Sequence, residues 1–101
     1  MRATELRQFE AKAAQAAQML KLLANEHRLL ILCRLAVEGE MSVGELARAV
    51  GLGQSALSQH LARMRDEGLL ATRRQAQTVF YRIAEADVAR LLKVLKSIYC
   101  P

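Results

Sequence analysis

A chain of 101 residues has the length of one domain with a single core. Hydrophobic residues make up 52% and charged residues 25%, with five glycines and one proline, which excludes a disordered chain and leaves no linker to divide it. Fifteen Lys and Arg against ten Asp and Glu give a net charge of +5, a mild argument for a polyanionic partner.

Residues 5–23 read as the first helix, because Leu6, Phe9, Ala13, Ala16, Leu20 and Leu23 recur at helical spacing and form a narrow apolar seam. Asn25 is the expected N-cap of a second helix, with Glu26 in its first turn. That helix is apolar nearly all round, from Leu29 through Val37, and is expected to be the central core helix, ending at Gly39. Ser42-Val43-Gly44-Glu45 has the S-x-x-E pattern of a capping box and opens a short helix with Leu46, Ala47 and Val50 on its apolar side. Gly51 stops and turns it. The next helix runs from about Gly53 to Glu67, with Gly68 just past its end. Two strand candidates follow, residues 69–74 and 78–83, with Gln75-Ala76-Gln77 as the hairpin tip. A last helix over residues 86–100 carries the stripe Val88, Leu91, Leu92, Leu95, Ile98 and Tyr99.

The order is α-α-α-α-β-β-α, mainly α with a small β-hairpin. Two short helices joined through a glycine and followed by a basic hairpin make a winged helix-turn-helix, with the motif at residues 42–67 and the wing at 69–83. The whole chain, residues 1–101, is then one domain.

On a wheel of about 100° per residue, Leu57, Leu61 and Met64 fall within about 60° of each other and form the buried side of the second motif helix. Gln54, Ser55, Ser58, Gln59 and Arg65 lie opposite, with Ala62 keeping that face slim. Gln pairs with adenine through two hydrogen bonds in the major groove, and Ser donates or accepts there. Arg63 and Arg65 are long enough for phosphates or a guanine edge. On an isolated helix the same face reads equally as a solvated one; its place between a capped helix and a basic hairpin favours DNA. The wing tip presents Arg73, Arg74 and Gln77, suited to phosphates or the minor groove, though each singly also fits a solvated hairpin. Residues 54–83 hold five arginines and two acids, so +3 of the charge lies here. His60, at the edge of the apolar arc, reads as a partly buried packing residue and His27 as exposed.

The longest apolar run, residues 29–33, is too short to span a bilayer, and Met-Arg-Ala-Thr-Glu opens no secretory signal. The expected location is the cytoplasm, with no membrane partner.

The chain resembles the ArsR/SmtB family of bacterial repressors. The resemblance rests on residues 23–32, on Ser42-Val43-Gly44-Glu45-Leu46-Ala47, on the highly specific Gln54-Ser55-Ala56-Leu57-Ser58-Gln59-His60-Leu61, and on Arg63, residues 66–70 and Tyr81-Arg82-Ile83. It implies a homodimer joined by the first and last helices, 5–23 and 86–100, bound to double-stranded operator DNA and released from it by an inducer. Gly53 stands where the family often has Ser at the helix cap, a change of only a few tenths of a kcal/mol.

The family's metal-sensing types place Cys-x-Cys on the first motif helix or Asp-x-His on the last helix. Here those places hold Glu45-Leu46-Ala47-Arg48 and Asp87-Val88-Ala89, and the two Cys and two His have no metal-ligand spacing. No metal site and no cofactor is expected. Taken alone, Cys33 reads as a small core residue and Cys100 as an incidental terminal thiol. Ile31-Leu32-Cys33 with Ser97-Ile98-Tyr99-Cys100 resembles the BigR/SqrR/YgaV branch, in which reactive sulfur species link matching cysteines by a disulfide or polysulfide. The resemblance thus implies a repressor with Cys33 and Cys100 as sensor thiols. The alternatives are a peroxide-responsive disulfide regulator and a winged-helix interaction module that does not bind DNA. An enzyme such as a thiol peroxidase is disfavoured, since neither cysteine sits by a recognisable base.

Overall fold

The computed structural model describes all 101 residues. The elements are α1 (Ala3–Glu10), α2 (Ala13–Leu23), α3 (Glu26–Glu38), β1 (Met41–Ser42), α4 (Val43–Val50), α5 (Gln54–Asp66), β2 (Leu70–Gln75), β3 (Thr78–Ile83) and α6 (Ala86–Tyr99).

Helix boundaries follow from local chemistry. The Asn25 side chain accepts the Arg28 amide at 3.1 Å and so starts α3. Ser42 and Glu45 close a reciprocal capping box at the head of α4, satisfying two amides that the helix itself cannot. Gly51 ends α4 at φ 70°, a left-handed geometry that a side chain would strain. At the end of α5, Gly68 takes φ 80° and lets the Leu69 amide reach back to the Met64 carbonyl at 2.9 Å. That closure buries Leu69 against the core.

The core is entirely apolar, with fourteen buried residues and no buried polar or charged one. Ile31, Leu32 and Leu35 of α3, Leu46 of α4, and Leu57, Leu61 and Met64 of α5 are all at most 1% exposed. Leu22 and Leu23 close it from α2, Leu70 from β2, and Val88 and Leu92 from α6. The sheet is antiparallel in the order β1-β3-β2, with Met41 opposite Tyr81 and Leu70 through Gln75 opposite Ile83 through Thr78.

Three expectations are corrected. Residues 5–23 are two helices, broken at Ala11 and Lys12, where no proline or glycine stands to signal it. The hairpin gains a third strand, β1, too short at two residues to leave an alternation pattern. Lastly, α3 is buried on one side only: Leu30 is 47% and Val37 78% exposed, and Cys33 is exposed as well.

Similar apolar exposure marks Leu6 and Phe9 of α1, Leu20 of α2, and Val94, Ile98 and Tyr99 of α6. The chain extends over 52 × 30 × 21 Å with a radius of gyration of 15.3 Å. A compact chain of this length has a radius near 13 Å. Its accessible surface is 7193 Å², against about 5,700 Å² for a monomer of this mass.

The hairpin turns on two residues, Ala76 and Gln77, and Ala76 is held at φ 56°. A β-carbon is disfavoured there. Ala76→Gly is expected to stabilise the fold by about 0.5–1 kcal/mol in urea unfolding; an unchanged or lower midpoint would show that the turn carries no such strain.

Candidate DNA interface and thiol pair

Buried Leu57, Leu61 and Met64 fix the rotation of α5, so its other side must face solvent. Gln54, Ser55, Ser58 and Gln59 are all exposed there, and none of their side chains makes a hydrogen bond within the chain. Arg63 and Arg65 are exposed at the far end of the helix. Arg63 lies 3.6 Å from Glu67 in a loose pair, while Arg65 has no acidic partner. All six residues expected from the sequence therefore share one accessible helix.

The wing carries the other three. Arg74 and Gln77 are exposed and unengaged. Arg73 is held differently: its guanidinium meets both carboxylate oxygens of Glu40, the shortest contact being 2.6 Å, and lies 4.8 Å from the centre of the Phe80 ring. That hydrogen-bonded pairing lowers the Glu40 carboxyl below its ordinary value and raises Arg73 above its own. Glu40 and Phe80 were not singled out in the sequence. Glu40 is 33 residues from Arg73, beyond any local spacing rule.

On another side of α5, His60 meets His27 of α3 with ring centres 5.8 Å apart. His60 is partly buried and His27 exposed, as expected. Burial, then the nearby Arg28 charge and His27, push the His60 pKa below its ordinary 6.5. Arg28 donates to the Leu22 carbonyl at 3.2 Å, and its buried Nε has no partner.

Cys33 and Cys100 are both free and exposed. Burial raises the Cys33 pKa above 9.0, and the Cys100 thiolate is near enough to raise it further. Cys33 also lines a shallow cavity of about 270 Å³ with Leu30, Arg34, Val37, Ala49 and Val50, between α3 and α4. No group of three or more His, Cys, Asp or Glu is arranged to hold a metal ion. No helix is long and apolar enough to cross a membrane.

These elements define a winged helix-turn-helix, in which α4 and α5 form the motif and β2–β3 the wing. Residues 25–72 match the bacterial regulatory proteins of the arsR family. The chain is 51% identical over 98 residues to the HTH-type transcriptional regulator YgaV of Escherichia coli K12, covering 97% of this chain and 99% of that protein. It is 48% identical over 95 residues to the transcriptional activator HlyU of Vibrio cholerae, covering 94% and 87%. The crystal structure of the transcriptional repressor BigR from Xylella fastidiosa superposes with a TM-score of 0.88 at 43% identity, covering 94% and 96%. The chain belongs to the arsR family and is a transcription regulator rather than an enzyme.

The His60 environment predicts a pH dependence. A base whose folded pKa is depressed favours the neutral form, so its full stability is present above about pH 6.5 and is lost as the pH falls toward the lowered value. Melting temperatures measured from about pH 7.5 down to 5.5 should drop less in His60→Gln than in the natural chain. Equal drops would remove His60 from the account.

Proposed function

We propose that the chain is a dimeric repressor that binds duplex operator DNA and releases it when reactive sulfur species link Cys33 to Cys100. α5 reads the major groove through Gln54, Ser55, Ser58 and Gln59, flanked by Arg63 and Arg65. Arg74 and Gln77 of the wing reach the adjacent backbone. The repressor sense rests on likeness to BigR, named a repressor; HlyU, which the chain also resembles, is named an activator.

The observation that carries the thiol reading is the pair of free, exposed cysteines on α3 and at the end of α6, with Cys100 near enough to bear on the Cys33 thiol. One thiolate attacks the outer sulfur of a persulfide RS–SH and expels RS⁻, leaving Cys–S–SH. The second thiolate then attacks the protein-side sulfur and expels HS⁻, closing a disulfide. Two persulfidated cysteines instead condense to a trisulfide with loss of H₂S.

Dimerisation is supported by the bare apolar residues of α1 and α6 and by about 1,500 Å² of surface beyond a typical monomer's. A stable interface needs about 800 Å² per partner. Light scattering should return twice the 11.2 kDa chain mass, and Phe9→Asp should return the monomer with its helical signal intact. A natural chain that is monomeric at micromolar concentration would sink the dimer.

The deciding experiment uses a duplex enriched from a random pool. Binding of the natural chain, Cys33→Ser and Cys100→Ser is measured with and without glutathione persulfide. Persulfide is expected to weaken the natural chain by about tenfold or more and to leave both variants bound. Mass spectrometry should show the Cys33–Cys100 link, with or without added sulfur. Normal release by both variants would defeat the thiol reading, and a link formed only with peroxide would replace the inducer.

A further inference from the structure

The sequence groups Arg73 with the wing residues that reach DNA, but its surroundings give it other work. Nε donates to Glu40 Oε1 at 3.2 Å and Oε2 at 3.1 Å, and Nη2 donates to Oε1 at 2.6 Å. Nη1 donates to Gln75 Oε1 at 2.9 Å. The face of the guanidinium lies on Phe80, its partner across the strand pair. Three of its nitrogens and one face are thus engaged before any DNA arrives.

The path of these contacts matters more than their number. Arg73 is on β2, Phe80 on β3, and Glu40 stands immediately before β1. With the strands in the order β1-β3-β2, Arg73 crosses over the middle strand to reach the lead-in to the far one. Glu40 in turn follows α3 and precedes the capping box of α4. The β1–β3 pairing anchors the hairpin at Phe80 and Tyr81; beyond it the tip is held by the β2–β3 ladder alone and is free to tilt. A two-oxygen Arg–carboxylate contact at this place removes that freedom, because its planar fork has one good geometry.

We propose that Arg73 is a positioning residue: clasped by Glu40 over the Phe80 ring, it sets the angle of the wing to α5 so that Arg74 and Gln77 meet the duplex, and it does not itself neutralise a phosphate. The assignment rests on the DNA-binding reading above. Moving Arg73 onto a phosphate would strip Glu40 of its partner and leave a bare carboxylate beside the polyanion. The hydrogen-bonded state of Glu40, with its pKa held low, is consistent with the clasp persisting at neutral pH.

The test compares the natural chain with Glu40→Gln, Arg73→Gln, Arg74→Gln, the double variant Glu40→Gln/Arg73→Gln and the exchange Glu40→Arg/Arg73→Glu. Duplex affinity is measured across a salt series, with hydroxyl-radical footprints and amide exchange of the free proteins. Loss of one phosphate contact lowers the log–log salt slope by about 0.9, and Arg74→Gln should show this. Glu40→Gln and Arg73→Gln should each weaken binding several-fold with the slope unchanged, and should lose the outer part of the footprint while keeping its centre. Amides of β2 and β3 should exchange faster in both. The double variant should be no worse than either single one, and the charge exchange should recover much of the loss.

A reduced slope in Arg73→Gln, with Glu40→Gln neutral or tighter, would make Arg73 a phosphate contact and overturn the assignment. Unchanged amide exchange in both single variants would overturn it as well. Failure of the natural chain to bind any duplex would defeat the DNA reading instead, while amide exchange would still decide whether the clasp holds the wing.

Discussion

The exposed face of α5 depends on one packing constraint. Leu57, Leu61 and Met64 must leave water together, and only one rotation of α5 allows it. Their burial against the core that Ile31, Leu32 and Leu35 of α3 help to form decides which side chains of α5 remain outside. The polar face is therefore a remainder, set by what the apolar face needs. The fourteen buried side chains are all apolar, so none of them makes a hydrogen bond that would specify another rotation. Function at the surface is inherited from packing underneath.

Much of this was legible because the signals are local. The S-x-x-E pattern at Ser42, the glycines at 51 and 68, and the three-four spacing of Leu57, Leu61 and Met64 each act within a turn or two of chain. What stayed hidden acts at longer range. The Arg73–Glu40 clasp joins residues 33 apart, so no periodicity announces it. The two-residue strand β1 exists only because β3 is there to pair with it. The helix break at Ala11 and Lys12 has no breaker residue. Pairing Cys33 with Cys100 as sensor thiols rests on the resemblance, since nothing in their spacing links them.

The misjudged face of α3 is instructive. Counting apolar residues identified a helix that ought to be covered all round, and Leu30 and Val37 are bare. Hydrophobicity records that a residue needs cover without recording which molecule supplies it. The same holds for Leu6 and Phe9 of α1 and Ile98 and Tyr99 of α6. A small domain with fourteen buried residues leaves much of its apolar inventory unspent. Under the dimeric reading, folding and association then draw on one reservoir of surface, and stability becomes a property of protein concentration.

One consequence concerns α3 as a rigid body. It carries Cys33 near its middle and hands the chain to Glu40 two residues past its end. The helix continues five residues beyond Cys33, about 7.5 Å along its axis, before Gly39 leads off to Glu40. Short helices pivot as rods, so a rotation of about 10° around Cys33 would swing the Glu38 end by about 1.3 Å, nearly half a hydrogen-bond length. The helix is in that sense a lever whose short stroke ends two residues from the carboxylate proposed to hold the wing.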